Sequence, residues 1–286
     1  MNLPTQAQDT SAGSISFIGG GNMARSLIGG LLARGQPPTT IHVAEPNADL
    51  RDALVADFSI RAYPDNIEAA EGGALWVFAV KPQVMRSVAE GLAETAQRRQ
   101  PLLISIAAGV TSAQLQRWLG GNLPVVRAMP NTPALLGAGA TGLFANARVS
   151  AAQRICADAL LQAAGLTVWI EDEARMDAVT ALSGSGPAYV FLLAEAMQAA
   201  GEAQGLSPEA ARALTLQTIF GASRMLSESV EPAPVLRQRV TSPGGTTQAA
   251  MERLESGGFR QLIAQAISDA VRRGAELSMA NESPKP

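Results

Sequence analysis

Scarcity is the first informative property of this chain. Its single cysteine, Cys156, excludes an intramolecular disulfide and any cysteine-built metal cluster. The neighbouring Arg154-Ile155-Cys156-Ala157 looks helical, which predicts a buried, inert thiol rather than a nucleophile. The single histidine, His42, lies inside a strand-like run, where a role in the sheet outweighs catalysis. There are only two lysines, Lys81 and Lys285, and the arginines are scattered. With a net charge of −3 and no basic stripe, the chain is not expected to bind nucleic acid, which needs clustered cations. The longest nearly apolar stretch, Pro187 to Met197, is interrupted by Glu195 and falls short of the roughly 20 residues a membrane helix needs. The segment Met1 to Gly13 is polar and has no basic run followed by an apolar one, so no secretory signal is read. A cytoplasmic protein is expected.

What is present suits a folded enzyme: 47% hydrophobic and 16% charged residues supply a core and an ordinary surface. From residue 15, short apolar runs alternate with helical segments. Ile15 to Ile18, Ile41 to Ala44, Ile60 to Ala62, Ala74 to Val80 and Leu102 to Ile106 read as strands. Asn22 to Arg34, Asn47 to Asp57 and Pro82 to Arg98 read as helices between them. Three further strands are expected around Val125, Thr141 and Val168. Such alternation means βαβ units and a doubly wound, mostly parallel sheet. After Glu171 the strand signal ends, and residues 173–226 and 246–280 read as helices rich in Ala, Leu and Met. The run Val190-Phe191-Leu192-Leu193 is apolar on all sides, which suits a helix buried between subunits as well as within one. The expected organisation is an α/β domain over 15–171 and a helical domain over 172–280, with frayed tails at 1–14 and 281–286.

Gly19-Gly20-Gly21-Asn22-Met23-Ala24 fits G-x-G-x-x-A at the first strand-to-helix junction. Gly19 suits the tight turn, a bare Gly21 lets a pyrophosphate approach, and small Ala24 lets helix and strand pack closely. The helix start adds free N–H groups and a positive dipole end. This is the signature of a Rossmann-like dinucleotide site. Glu45 ends the second strand, where an acidic side chain accepts bonds from the adenosine ribose and favours NADH. A helix-capping role is the alternative, and nearby Asn47 and Arg51 could host a 2′-phosphate. Ala79-Val80-Lys81-Pro82 and Ala107-Ala108-Gly109 follow the fourth and fifth strands, at the edge where a ligand lies in such sheets. Lys81 reads equally as a ligand contact or a solvated turn residue.

What is missing narrows the reaction. Reducing a carbonyl, or oxidising an alcohol, moves a proton through a His, Lys or Tyr. The helical half has Tyr189 and no histidine, with no lysine before Lys285. A β-hydroxyacid dehydrogenase would need a lysine there. A protonated imine needs no such acid. Thr241-Ser242-Pro243-Gly244-Gly245-Thr246-Thr247 precedes a helix and reads either as an anion nest for a carboxylate or as a well-capped helix start.

Between about Ile15 and Leu277 the sequence resembles the pyrroline-5-carboxylate reductases. The motifs are Phe17 to Ala24, Ala79-Val80-Lys81-Pro82-Gln83, Arg127-Ala128-Met129-Pro130-Asn131-Thr132-Pro133, Ala181 to Tyr189 (Ala-Leu-Ser-Gly-Ser-Gly-Pro-Ala-Tyr), Thr241 to Thr247, and Leu254 to Arg260. The resemblance implies reduction of 1-pyrroline-5-carboxylate to L-proline by NADPH or NADH. It places Asn66 on the adenosine side, with Ala79, Val80, Lys81, Ala107 and Gly109 along the dinucleotide. Met129, Asn131, Val240, Ser242, Gly244, Gly245, Thr246 and Thr247 fall to the substrate, with Thr247 at the ring nitrogen. It also implies a homodimer, or a larger homo-oligomer, through the helical domain. Glu45 stands where relatives often carry a small hydroxyl residue, and Gln238-Arg239 replaces a more usual acidic or amide pair. A reductase of another cyclic imine and a non-catalytic nucleotide sensor are the alternatives.

Overall fold

The computed structural model describes residues 13–280. The strands are β1 (Ile15–Ile18), β2 (Ile41–Ala44), β3 (Arg61–Tyr63), β4 (Leu75–Phe78), β5 (Leu102–Ser105), β6 (Val125–Met129), β7 (Gly139–Ala145) and β8 (Gly165–Trp169). Helices α1 (Asn22–Ala33), α2 (Ala48–Phe58), α3 (Asn66–Gly72), α4 (Pro82–Gly91), α5 (Ala93–Arg99), α6 (Ser112–Trp118) and α7 (Ala151–Leu161) lie between them. After β8 come α8 (Met176–Val179), a π-turn at Thr180–Gly184, α9 (Gly186–Ala203), α10 (Pro208–Glu228), α11 (Ala233–Arg239), α12 (Thr246–Ser256) and α13 (Phe259–Ala280).

The eight strands form one sheet in the order β3-β2-β1-β4-β5-β6-β7-β8. All neighbouring pairs are parallel except β6 with β7. Every residue of β1, β2, β4 and β5 is buried, which is why these strands read as unbroken apolar runs. Phe17, Val77, Ile104 and Val126 pack with Leu27 and Leu31 of α1 and Leu160 of α7 on one face. Trp76, Phe78, Leu103 and Val125 pack with Met85 of α4 and Leu115 of α6 on the other. His42 is buried in β2, with Nδ1 3.2 Å from the Tyr63 hydroxyl. It serves the sheet.

Three local expectations change. The single helix expected over 82–98 is two helices, α4 and α5. They break where Leu92 is drawn into the core and its N–H bonds the Ala89 carbonyl instead of continuing the α pattern. Cys156 is exposed, not buried, because α7 turns Ala157, Leu160 and Leu161 inward and Cys156 falls beside exposed Ile155. The compact units divide after Ser185, and the chain rejoins the first unit from Ala270; the second unit is Gly186–Asp269. Buried Met176 and Ala181 hold the stretch after β8 within the first unit. From the end of α13, the Ser278 carbonyl accepts a bond from Gln114 Nε2. The tails expected at 1–14 and 281–286 lie outside the described residues, apart from Gly13 and Ser14.

Candidate active site

The fingerprint loop explains its own glycines. Gly19 has φ +105°, and a Cβ there would sit 2.9 Å from the Ala79 carbonyl oxygen. At Gly20 a Cβ would meet Leu54 Cδ1 at 2.5 Å. Gly21 is different. Its φ of −69° suits any residue, and a Cβ built there meets no protein atom within 4 Å. Neither backbone nor packing requires glycine at 21, so the open approach is what a side chain would spoil. Gly21 caps α1 without a side-chain bond, and the first turn holds no acidic residue, so the N–H groups of that turn stay open to an anion. Asn22 and Met23 open this helix, and Ala24 is fully buried against the sheet. The residues present fit a pyrophosphate.

On the adenosine side Glu45 is nearly buried, and its carboxylate is already engaged. Oε2 accepts from the Gly20 N–H at 3.1 Å and Oε1 from the Asn47 N–H at 3.0 Å. The carboxylate therefore pins the fingerprint loop and the approach to α2 together. Arg51 turns back on its own strand end, donating to the Glu45 carbonyl at 3.1 Å. Asn66 opens α3, whose cap is Asp65: Oδ1 accepts from the Ile67 and Glu68 N–H groups. Farther along the same sheet edge, Ala79 and Val80 follow β4. Lys81 is the exposed cap of α4 ahead of Pro82; its carbonyl accepts from the Val84 N–H at 3.1 Å, while its ammonium makes no ion pair or hydrogen bond among the described residues. Ala107, Ala108 and Gly109 follow β5, with Gly109 at φ +70°. The carboxyl ends of β1, β2, β4 and β5 thus place these residues along one edge.

In the helical unit, Val240 caps α11 and is exposed. Thr241 Oγ1 donates to the Arg237 carbonyl at 2.7 Å, and the Gly245 N–H donates to the Ser242 carbonyl at 3.0 Å. Gly244 has φ +71°. Gly245 caps α12 with no side-chain bond, and the Thr246 and Thr247 hydroxyls make none among the described residues. The hydroxyls are not spent as caps, so the turn keeps donors for an anion.

Known proteins match both halves. The family model described as pyrroline-5-carboxylate reductase dimerisation matches residues 173–277, and that described as NADP oxidoreductase coenzyme F420-dependent matches 14–109. A pyrroline-5-carboxylate reductase of Pseudomonas aeruginosa is 53% identical over 265 residues, covering 92% of this chain and 96% of the relative. The chain belongs to the pyrroline-5-carboxylate reductase family. A solved reductase of Coxiella burnetii superposes with a TM-score of 0.90 at 44% identity, covering 93% and 99% of the two chains. A Plasmodium falciparum pyrroline carboxylate reductase, solved with NADP bound, gives 0.82 at 29% identity, covering 94% and 99%.

Within this reductase some motif residues do structural work. Asn131 donates through Nδ2 to the Ser183 carbonyl at 3.0 Å and accepts at Oδ1 from the Ala140 N–H at 2.9 Å. Both ends of its amide are committed, so it fastens the turn after β6 to β7 and to the π-turn of the Ser-Gly-Ser-Gly motif. Met129 packs beside Gly184, where a Cβ would come within 2.8 Å of the methionine methyl. Sequence reasoning missed Gln248, whose Oε1 accepts from the Gly244 N–H at 2.7 Å and shapes the turn. Its position three residues after the Gly245 cap, where a capping-box Glu or Gln reaches back, was the available signal. Among the described residues no helix is long and apolar enough to cross a membrane, and no three His, Cys, Asp or Glu residues are grouped as a metal site requires.

Proposed function

We propose that this reductase reduces the C=N bond of 1-pyrroline-5-carboxylate to give L-proline, using NADPH or NADH. The observation that carries the reading is a pair of family motifs left open where nothing else in the chain requires it. Gly21 faces vacant space, and the Thr246 and Thr247 hydroxyls are unspent. The Gly19 to Ala24 loop and the α1 N-terminus would hold the pyrophosphate, with Glu45 and Asn66 on the adenosine side. Ala79 to Pro82 and Ala107 to Gly109 would border the other end. When bound, the reduced nicotinamide supplies hydride. The Ser242 to Thr247 turn, with Val240 at its entry, would grip the substrate carboxylate, and the Thr247 hydroxyl would fix the ring nitrogen. Asn131 and Met129 would support the substrate region from beneath. The imine carbon so held would accept the hydride, and the C=N electron pair would move to a nitrogen that already carries its proton. No protein acid is needed for that step, in keeping with the scarcity of His and Lys.

The enzyme is a homo-oligomer through its helical domain, matching the dimerisation model. The division of labour, dinucleotide on the first unit and substrate and pairing on the second, is part of this proposal. So is a cytoplasmic location, which the single cysteine and the need for a reduced cofactor support. The direct test is the oxidation of NADPH and NADH on addition of the cyclic imine, with proline measured as product. Cofactor binding without turnover would turn the reading toward a sensor.

A further inference from the structure

A charge cluster centred on a buried arginine lies on the sheet face covered by α6, outside every residue assigned above. Arg127, in the middle of β6 and level with Ser105 of β5, is almost wholly buried. Its guanidinium stands between two carboxylates, 3.6 Å from Glu173 Oε1 and 3.5 Å from Asp177 Oδ1. Glu173 faces a third group: Oε1 accepts from the Ser112 N–H and Oε2 from the Ser112 hydroxyl, both at 2.6 Å. Asp177 packs against Gly274 of α13, where a Cβ would lie 3.3 Å from its carboxylate.

The bond from Glu173 satisfies the Ser112 N–H, which the local cap of α6 leaves open. Thr111 and Gln114 supply that local cap, a capping box at the start of α6. A second cap, delivered from 61 residues away, does something the first cannot: it fixes where the first turn of α6 stands. Burying the Arg127 guanidinium against two partly exposed carboxylates is a poor way to gain stability, but it can specify an arrangement. The element so held begins at Thr111, two residues after Gly109, and the Ala107 to Gly109 turn ends at Gly109 with φ +70°. A shift of α6 would be transmitted to that turn.

We propose that Glu173 and Arg127 are positioning residues for hydride transfer, acting through Ser112 and α6 on the Ala107 to Gly109 turn. The inference rests on the cofactor seat proposed above. Glu173→Gln keeps one acceptor for the Ser112 N–H but loses the charge that Arg127 meets. A displacement near 1 Å can cost about a hundredfold in rate, so kcat should fall roughly ten- to a hundredfold in this variant. ADP-ribose, which lacks nicotinamide, should bind as in wild type, because the Gly21 loop is untouched. Ser112→Ala is the milder test. It removes only the hydroxyl bond to the Glu173 carboxylate and should lower kcat per folded molecule by about tenfold, the rate equivalent of the weaker hydrogen bonds to charged groups. A merely structural role would lower the midpoint and the active fraction while leaving kcat per folded molecule at the wild-type value. That result, or ADP-ribose affinity falling in step with kcat, overturns the proposal. Should Gly21→Val retain normal dinucleotide affinity, the seat itself is misplaced and this inference goes with it.

Discussion

The two units of this reductase handle apolar surface in opposite ways. In the first, strand after strand is buried on both faces, and the core is complete within one chain. In the second, α9, α12 and α13 bury no residue at all. Phe191 and Leu192 of α9 are 60% and 65% exposed, and Leu262 of α13 is 61% exposed. Between α9 and α13 runs an apolar groove of about 470 Å³ lined by Tyr189, Leu193, Phe259, Ile263 and their neighbours. A lone monomer rarely leaves so much contiguous apolar surface in water. The core of the first unit closes within one chain; the second leaves an apolar face that suits the pairing of two copies.

The contrast breaks first at Gly21. Gly21→Val should abolish NAD(P)H binding by fluorescence titration while the unfolding midpoint stays at its wild-type value, because the new side chain meets only the ligand's space. Leu192→Asp is the counterpart in the helical unit. If pairing of two copies covers this exposed leucine, its burial contributes about 1.5–3 kcal/mol, and a twofold interface counts each substitution twice. The dimer dissociation constant should therefore rise roughly a hundred- to ten-thousandfold, seen by analytical ultracentrifugation, with ADP-ribose binding to the first unit preserved.

Thr247→Ala should act on the reaction without touching either fold. Loss of one hydrogen bond, about 0.5–1.5 kcal/mol and somewhat more to a charged iminium, predicts a fall in kcat/KM of roughly two- to tenfold for a neutral bond and up to about a hundredfold for a charged one. The activity should still decline toward high pH as the substrate imine loses its proton. A ten-thousandfold loss, or the disappearance of that alkaline limb, would make the hydroxyl an acid catalyst.

A smaller effect is expected at Glu45. Glu45→Ser should move the ratio of specificities from NADH toward NADPH by several-fold, matching the repulsion of about 1 kcal/mol between two like charges about 4 Å apart in water. It should also loosen the loop, since the Gly20 N–H loses its acceptor. An unmoved ratio beside weaker binding of both cofactors would confine Glu45 to loop closure.

The smallest effect belongs to His42, whose pKa is lowered by burial and then by the nearby Arg61 charge. The folded state disfavours its protonated form. The stability that depends on a neutral His42 is thus fully present above its unfolded pKa, about 6.5, and is lost as pH falls below it. Unfolding midpoints should show a slope below about pH 6.5 that His42→Gln flattens.

Much of the fold was legible because parallel strands buried on both faces leave unbroken apolar runs, as Leu75 to Phe78 does. The fingerprint was legible because its glycines and Ala24 answer to geometry alone. Long-range commitments were not. Nothing local to Glu45 announces a bond to Gly20, 25 residues earlier, and nothing near Asn131 announces Ser183, 52 residues later. The break at Leu92 and the exposure of Cys156 likewise depend on which helix face the core selects. The boundary near 171 follows the end of the strands, whereas the chain stays packed in the first unit as far as Ser185.

The return of the chain at Ala270 bears on biosynthesis. Helix α13 is one continuous helix, Phe259–Ala280, yet its last turns belong to the first unit, where Gly274 meets Asp177 and Ser278 receives Gln114. A ribosome releases residues 13–185 well before it releases these. At about 5–20 residues per second, the nascent first unit spends several seconds without its closing segment, while the apolar helices of the second unit are still emerging. The unit that starts to fold first is therefore completed last, and a chain stopped short of α13 leaves both units unfinished.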